Sequence, residues 1–224
     1  MLHFTEEFLK FFMELAANNN KEWFDLNRKR YEQFVKVPFQ NFVQLTIAEI
    51  SKKHPSFKDL QAKDCIFRIH RDIRFSKDKT PYKLMVSAVI APEGRKSKAV
   101  NGVYIELGPE HFRVYGGIYE IATEDLYLVR EGIVENLAEF QKIYKDAKFK
   151  KYFGGRILGE KNKIIPKEFR EAAEKEPLLF NKQWYFFSEY SSDVILQEGL
   201  DKLVLDCFDA GRPMEEFFNR LIRR

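Results

Sequence analysis

The sequence predicts an α+β protein with N-terminal helices, a central antiparallel sheet and C-terminal helices. Two changes of hydrophobic period support this prediction. Apolar residues first recur every three to four positions, then alternate with other residues from Asp64 onwards, and return to helical spacing after Gly117. Because the helices and the strands are segregated along the chain, their order is typical of an α+β architecture.

Three helices are predicted before residue 55. The first has an apolar face at helical spacing, formed by Phe4, Phe8, Phe11, Phe12 and Leu15. Thr5 is positioned to cap this helix, and Asn20 or Lys21 to begin the second. Pro38 fits the first turn of a third helix that runs to about Lys53.

The sheet is predicted from short segments with strand-like patterns. Cys65, Phe67 and Ile69 alternate with their neighbours and predict a strand with one face on the core. Four further strands are predicted, over Leu84–Ile90, Val103–Leu107, Phe112–Tyr115 and, later in the chain, Trp184–Tyr190. The links within the first group are short, so neighbouring strands should pair antiparallel.

The second half of the chain is mainly helical in this interpretation. Thr123 is the expected N-cap of a helical region that continues in pieces to about Phe153, and Pro166 can open a further helix. Ser192 is expected to cap the C-terminal helices, which we expect Gly211–Pro213 to split in two.

Composition indicates a single folded domain over residues 1–224, with no repeat or linker. The N-terminus MLHFTEEF carries two glutamates where a signal peptide needs lysines, and no apolar run approaches the roughly 20 residues that span a bilayer. We therefore expect a soluble cytoplasmic protein that does not enter membranes. Cys65 and Cys207 are expected to be reduced core thiols. The four histidines are isolated, so no metal site is predicted, and no motif identifies a cofactor.

The net charge of the chain, +4, can be assigned to residues 68–83, RIHRDIRFSKDKTPYK. This segment holds six of the 38 basic residues and two of the 34 acidic ones, and the other residues carry 32 of each sign. Its cations are Arg68, Arg71, Arg74, Lys77, Lys79 and Lys83. Guanidinium groups suit bidentate binding of phosphate or carboxylate, and lysines add point charges.

The other polar and aromatic side chains of the segment leave several roles open. Ser76 and Thr80 offer hydroxyls, and Asp72 or Asp78 can either orient the arginines or act as a general acid or base, with Tyr82 assisting. Phe75 and Tyr82 interleave with the charges, as stacking groups or as anchors to the core. The competing interpretation is a solvated hairpin loop whose Arg–Asp pairs are structural.

Two motifs together, NNNKEWFDLNRKRYE over residues 18–32 and the segment 68–83, resemble an uncharacterised conserved family of bacterial and fungal proteins, catalogued as a domain of unknown function. The resemblance extends over about residues 4–222 and implies no activity. It implies a shared residue set, namely Asn20, Trp23, Phe24, Asn27, Arg28 and Tyr31 with Arg71, Asp72, Arg74, Phe75, Ser76, Asp78, Lys79, Thr80, Pro81, Tyr82 and Lys83.

On a helix, Phe24, Arg28 and Tyr31 fall on one face, which can line a pocket, although helical spacing also fits a core role for Trp23 and Phe24. We therefore count Trp23, Arg28 and Tyr31 as candidate ligand-binding residues together with the segment 68–83.

Three functions fit these observations. The first is a binding protein for an anionic partner, either a phosphate- or carboxylate-bearing small molecule or a nucleic acid. The second is an enzyme acting on a phosphorylated or carboxylated substrate, with Asp72 or Asp78 as acid or base. The third is a structural or protein-interaction module in which the charges of the segment hold the fold together.

Overall fold

The structure, a computed structural model, describes residues 1–97 and 102–222 and confirms the α+β class. The helices before the sheet are α1 (Glu6–Ala17), α2 (Lys21–Leu26), α3 (Arg28–Tyr31), α4 (Val37–Ser51) and α5 (Ala62–Cys65). The later helices are α6 (Thr123–Glu135), α7 (Leu137–Lys145), α8 (Ala147–Phe153), α9 (Arg170–Lys175) and α10 (Leu200–Ile222). In the described ranges, no helix is both long and apolar enough to cross a bilayer.

Short helices of other types complete the helical regions. A π-helical segment, Glu32–Lys36, joins α3 to α4. The 3₁₀ helices are Pro55–Phe57, Gly94–Lys96, Lys167–Phe169, Pro177–Phe180 and Ser192–Leu196. The predicted capping of α2 is confirmed, because the Asn20 side chain accepts a hydrogen bond of 2.9 Å from the Trp23 N–H.

The four strands form an antiparallel sheet in chain order: β1 (Val86–Ile90), β2 (Val103–Leu107), β3 (Phe112–Ile118) and β4 (Trp184–Tyr190). The bounds of β2 and β4 are those predicted from the sequence. A tight turn joins β2 to β3, where the Gly108 N–H donates to the His111 carbonyl at 3.1 Å. This register places Glu106 opposite Arg113.

The strand predicted from Asp64 is wrong as a continuous element. Residues 62–65 form the short helix α5. The residues that follow it form only two isolated bridges: Ile66 pairs with Ala88 in β1, and His70 pairs with Tyr82, which precedes β1. Between these bridges, three residues on one side (67–69) therefore oppose five on the other (83–87). Two extra residues of this kind interrupt the ladder as a bulge does, which prevents a regular strand.

The predicted division of the C-terminal helices at Gly211–Pro213 is also wrong, since α10 continues through Pro213. Proline removes one backbone hydrogen bond within a helix. The apolar face of α10 stays buried on both sides of that point, at Phe208, Met214 and Phe218, and its burial outweighs this loss. The long helix begins at Leu200 rather than at Ser192, which instead starts a 3₁₀ helix.

The chain divides into two compact units. The first comprises Met1–Arg95, Tyr104–Val114 and Glu189–Leu205, and the second comprises Lys96–Val103, Tyr115–Ser188 and Asp206–Arg224, as far as these ranges are described. In the first unit, phenylalanines of α1 and α4 form much of the core together with β1. In the second, Phe140 packs on Phe217 and Phe149 on Phe186. Cys65 lies buried in the first unit and Cys207 in the second.

Candidate functional site

The segment 68–83 lies in the first unit and forms a hairpin-like excursion. At its base, the Lys83 N–H donates to the Ile69 carbonyl at 2.8 Å and the Arg71 N–H to the Pro81 carbonyl at 2.9 Å. Residues 72–80 therefore form the loop beyond this base. The base fixes where Arg68 and Lys83 lie, whereas the loop has to be organised by its own side chains.

Arg71 organises the loop from within. Its guanidinium donates hydrogen bonds to the Asp78 carboxylate and to the Thr80 hydroxyl. The Thr80 N–H and hydroxyl both donate to Asp78 Oδ1 at 2.9 Å. The Thr80 N–H and then Arg71 lower the pKa of Asp78 to about 2, so this carboxylate stays ionised and paired near neutral pH.

The remainder of the loop faces solvent. Arg74 forms a bidentate pair with Asp72, at 3.0 and 2.7 Å, and this pairing lowers the pKa of Asp72. The Lys79 ammonium donates to the Ile73 carbonyl at 2.9 Å, and the Ser76 N–H donates to the same carbonyl at 3.4 Å. Phe75 is 95% exposed, so it does not anchor the loop to the core.

Arg71→Met should make the loop a better protease substrate. Half-buried Arg71 ties both limbs of the loop together, whereas Arg74 is 76% exposed and pairs only two residues away. Cleavage after Phe75 by chymotrypsin, followed by mass spectrometry of the native protein, should be several-fold faster in Arg71→Met than in wild type. Arg74→Met is the matched control and should be cleaved close to the wild-type rate. Equal rates in the two variants would show that Arg71 does not hold the loop.

The two motifs of the resemblance meet at Tyr82. The Asn19 side chain donates to the Tyr82 carbonyl at 3.0 Å and accepts from the Tyr82 N–H at 3.1 Å. The Tyr82 ring stacks on Phe24, with centroids 4.1 Å apart, and both residues are buried. Tyr82 is therefore an anchor between α2 and the segment 68–83. Asn19 was missed by the sequence reasoning, although it stands beside the cap residue Asn20.

The remaining candidates of the first motif surround this joint. Trp23 and Tyr31 both pack against Phe11, at centroid distances of 5.5 and 5.6 Å. Burial raises the pKa of Tyr31 to about 12. Arg28 forms an ion pair of 2.5 Å with Asp25, and its guanidinium lies 5.6 Å from the centre of the Phe24 ring. Trp23 and Tyr31 thus belong to the aromatic cluster behind Tyr82, while Arg28 is exposed beside it.

Arg68 and Lys83 are the two cations of the segment that lie at the base of the hairpin. Neither forms an ion pair with any residue in the part of the chain that the structure describes. Lys83 is half-buried, and its ammonium lies 5.4 Å from the centre of the Phe67 ring. Burial, and next the charge of Arg68, lower the pKa of Lys83. The base of the hairpin therefore holds two neighbouring cations that no described carboxylate contacts, and Arg68 acts on Asp72 only through its charge.

A second polar cluster, which the sequence reasoning missed, lies on β2 and β3 in the same unit. Glu106 is buried and accepts hydrogen bonds from Tyr104 Oη at 3.0 Å, His111 Nε2 at 3.0 Å and Arg113 Nη1 at 3.2 Å. Arg113 also donates to Glu189 at 2.5 Å. The alternation in β2 and the Gly108-Pro109 turn were visible in the sequence, and together they predict the pairing of Glu106 with Arg113.

Clusters of potential metal ligands are absent from the described ranges. No group of three or more His, Cys, Asp or Glu side chains there is arranged to hold a metal ion. For a phosphate-bearing ligand or cofactor, the cations of the segment without a described carboxylate partner are Arg68 and Lys83 at the hairpin base and exposed Lys77 and Lys79 in the loop.

The family relationship rests on nearly the whole chain. No curated protein matches the sequence significantly. A family model described as "Conserved hypothetical protein (DUF2461)" matches residues 7–217, a range that contains both motifs and every side chain of the two polar clusters named above. The chain belongs to this conserved hypothetical family, DUF2461.

Proposed function

We propose that the protein binds a phosphate- or carboxylate-bearing ligand through Arg68 and Lys83. The observation that supports this proposal most is the half-buried Lys83 ammonium, which has Arg68 as its charged neighbour and no carboxylate partner among the described residues. Arg68 is exposed and Lys83 is half-buried, and their like charges repel each other. An anion bound between them would relieve this repulsion and accept charge-assisted hydrogen bonds.

The other charged side chains of the segment hold the loop in shape around such a site. Arg71 and Thr80 hold Asp78, and Arg74 holds Asp72, so these groups shape the loop rather than offer free charge. Ser76 and Lys79 stand further along the loop, where they can contact the distal part of a larger ligand. In this proposal, Trp23, Tyr31 and Arg28 act through the aromatic cluster that anchors Tyr82, at the base of the same hairpin.

We favour a binding function over a catalytic one in which Asp72 or Asp78 acts as the acid or base. A general base works best with a pKa near the operating pH. Both aspartates have lowered pKa values. The main cause at Asp72 is the hydrogen bond from the Arg74 side chain, and the main cause at Asp78 is the hydrogen bond from the Thr80 N–H. Carboxylates held in this way are weak proton acceptors, and they serve better as anchors of the arginines.

Replacing Lys83 should test the proposal directly. Lys83→Met should weaken binding of inorganic phosphate or sugar phosphates about tenfold or more, as expected for the loss of one charge-assisted hydrogen bond. Lys77→Met is the matched control, because it removes the same charge from the same segment and should change affinity little. Isothermal titration calorimetry and ligand-induced shifts of the melting temperature provide two independent measurements.

The same binding measurements on wild type and the two lysine variants distinguish a small anionic ligand from a nucleic acid and from a structural role. A short mixed-sequence oligonucleotide tested at low salt distinguishes a nucleic-acid partner, for which affinity must fall steeply as salt increases. If no phosphate, carboxylate or oligonucleotide binds, the proposal is wrong and the segment is structural. Equal losses in Lys83→Met and Lys77→Met would indicate diffuse attraction instead of a site.

A further inference from the structure

Phe75 is the most exposed large apolar side chain in the described ranges, at 95%. Its position among the cations of the segment left two roles open, a stacking group or an anchor to the core. Tyr82 takes the anchoring role, because its buried ring stacks on Phe24. No described aromatic ring packs against Phe75, and the Arg74 guanidinium lies 5.8 Å from the centre of its ring. The Phe75 ring is therefore free to stack on a partner.

The Phe75 ring projects from a turn that the loop holds in shape. The Ser76 N–H donates to the Ile73 carbonyl at 3.4 Å, and this bond closes the turn around Arg74 and Phe75. Beside the ring, the Arg74 guanidinium is fixed by its bidentate pair with Asp72. A side chain presented by an ordered turn loses less conformational freedom on binding than one on a mobile loop.

A cation lies at the same turn. The Lys79 ammonium donates to the Ile73 carbonyl oxygen at 2.9 Å, so it lies against the backbone of the turn that carries Phe75. Lys79 has no described carboxylate partner, and an ammonium that donates one hydrogen bond keeps two further N–H groups for an anion. A phosphate bound by Lys79 would therefore lie beside a group stacked on Phe75. Arg68 and Lys83 offer further cationic positions at the base of the same hairpin.

The combination of an exposed ring and spaced cations fits single-stranded nucleic acid. An unpaired base stacked on an aromatic ring strengthens binding about ten- to hundredfold, and every nucleotide adds a phosphate. A duplex keeps its base faces stacked on one another, so the Phe75 ring has no free face to contact there. A membrane is the weaker match, because even a single myristoyl chain gives only marginal attachment and one phenylalanine ring buries less apolar surface.

We propose that the segment 68–83 binds single-stranded nucleic acid, with an unpaired base stacked on Phe75 and a phosphate beside it on Lys79. Arg68 and Lys83 hold a phosphate further along the strand. This inference rests on the proposed function and names the partner of that same site. Stacking and phosphate contacts read no base edge, so binding should depend little on the base sequence.

Fluorescence anisotropy of a labelled oligothymidylate of about ten nucleotides tests the stacking contact. Phe75→Leu keeps an exposed apolar side chain but removes the ring, and should weaken binding about tenfold at low salt. Phe75→Trp should bind at least as tightly as wild type. Leu26→Ala trims an exposed apolar side chain outside the segment and should match wild type. An abasic oligonucleotide of the same length keeps the phosphates without the bases, so wild type and Phe75→Leu should bind it equally.

The phosphate contacts have a measurement of their own. Lys79→Met and Lys83→Met should each reduce the slope of log affinity against log salt by about 0.7, the value for one phosphate contact on a single strand. The duplex of the same sequence should show no difference in affinity between wild type and Phe75→Leu, because its bases stay stacked.

The outcomes separate this inference from the proposed function. If neither phosphate nor the oligonucleotide binds, both are wrong. If phosphate binds through Lys83 but the oligonucleotide does not bind, or if Phe75→Leu binds it as tightly as wild type, the anion site stands and the inference is overturned. It is equally overturned if Phe75→Leu lowers binding to phosphatidylserine vesicles alone, because the ring then contacts lipid.

Discussion

The free energy of unfolding of wild type should fall as the pH rises above about 4.5, the ordinary pKa of a glutamate, and Glu215→Gln should abolish this fall. Glu215 lies in the second unit and is 1% exposed, and its Oε2 atom has no hydrogen-bond partner in the described ranges. A Cβ atom on Gly116 would lie only 3.1 Å from Oε1 and 2.6 Å from the Phe186 ring, so the carboxyl is closely packed beside an aromatic ring.

Burial raises the pKa of Glu215 well above 4.5 in the folded protein. Between 4.5 and that raised value, the folded state keeps the proton and the unfolded chain releases it. Rising pH therefore favours unfolding, by about 1.4 kcal/mol for each pH unit in this window. The stabilisation is fully present below pH 4.5 and is lost as the pH rises through the raised pKa. Glutamine keeps the size of the side chain and cannot ionise.

Urea denaturation between about pH 5 and 8 should measure this effect as the difference between wild type and Glu215→Gln. Taking the difference cancels the contributions of titrating groups that do not interact with Glu215. Glu174→Gln is the matched control, because Glu174 is an exposed glutamate of the same unit and should give a curve parallel to that of wild type. A Glu215→Gln curve parallel to wild type would mean that Glu215 is ionised in the folded state.

Local patterns predicted much of this fold because the deciding information is itself local. The strand-like segments Val103–Leu107 and Trp184–Tyr190 predicted the bounds of β2 and β4, and Asn20 marked the start of α2. The two main errors, a strand from Asp64 and a helix break at Gly211–Pro213, arose where contacts with residues distant in sequence determine the local structure. Alternation before Arg68 predicts a strand, but the register of the opposing chain interrupts it. Pro213 predicts a break, but burial of the helix face on both sides overrides it.

The candidate site shows the same division. Charge counting located the segment 68–83, yet it could not distinguish Arg71, which is held by Asp78, from Lys83, which has no carboxylate partner in the described chain. That distinction depends on how the loop folds back on itself. The pair of Glu106 with His111 depends on a turn of the sheet, and the bond from Arg113 to Glu189 joins residues 76 positions apart, which no local pattern reveals.

Phe24→Ala should be the most destabilising single change at the joint between the two motifs. Phe24 is 1% exposed, stacks on Tyr82 at 4.1 Å, and packs against Tyr31 at 5.2 Å and Phe11 at 6.2 Å. Truncating a buried phenylalanine removes its transfer free energy and leaves a cavity, at a cost of about 3–5 kcal/mol. Leu26→Ala on the same helix is the matched control, because Leu26 is 81% exposed and should shift stability by less than about 0.5 kcal/mol.

The Phe24 variant also decides between a core role and a ligand-lining role for the aromatic residues of the first motif. If Phe24 is core, the free energy of unfolding by urea falls without any ligand present, and saturating phosphate restores only the part that binding supplies. If Phe24 instead lines a pocket, its loss leaves the unliganded protein nearly as stable as Leu26→Ala and weakens binding alone. The stacked geometry at Tyr82 and the hydrogen bonds from Asn19 lead us to expect the first result, with the hairpin base held in place by the core beneath it.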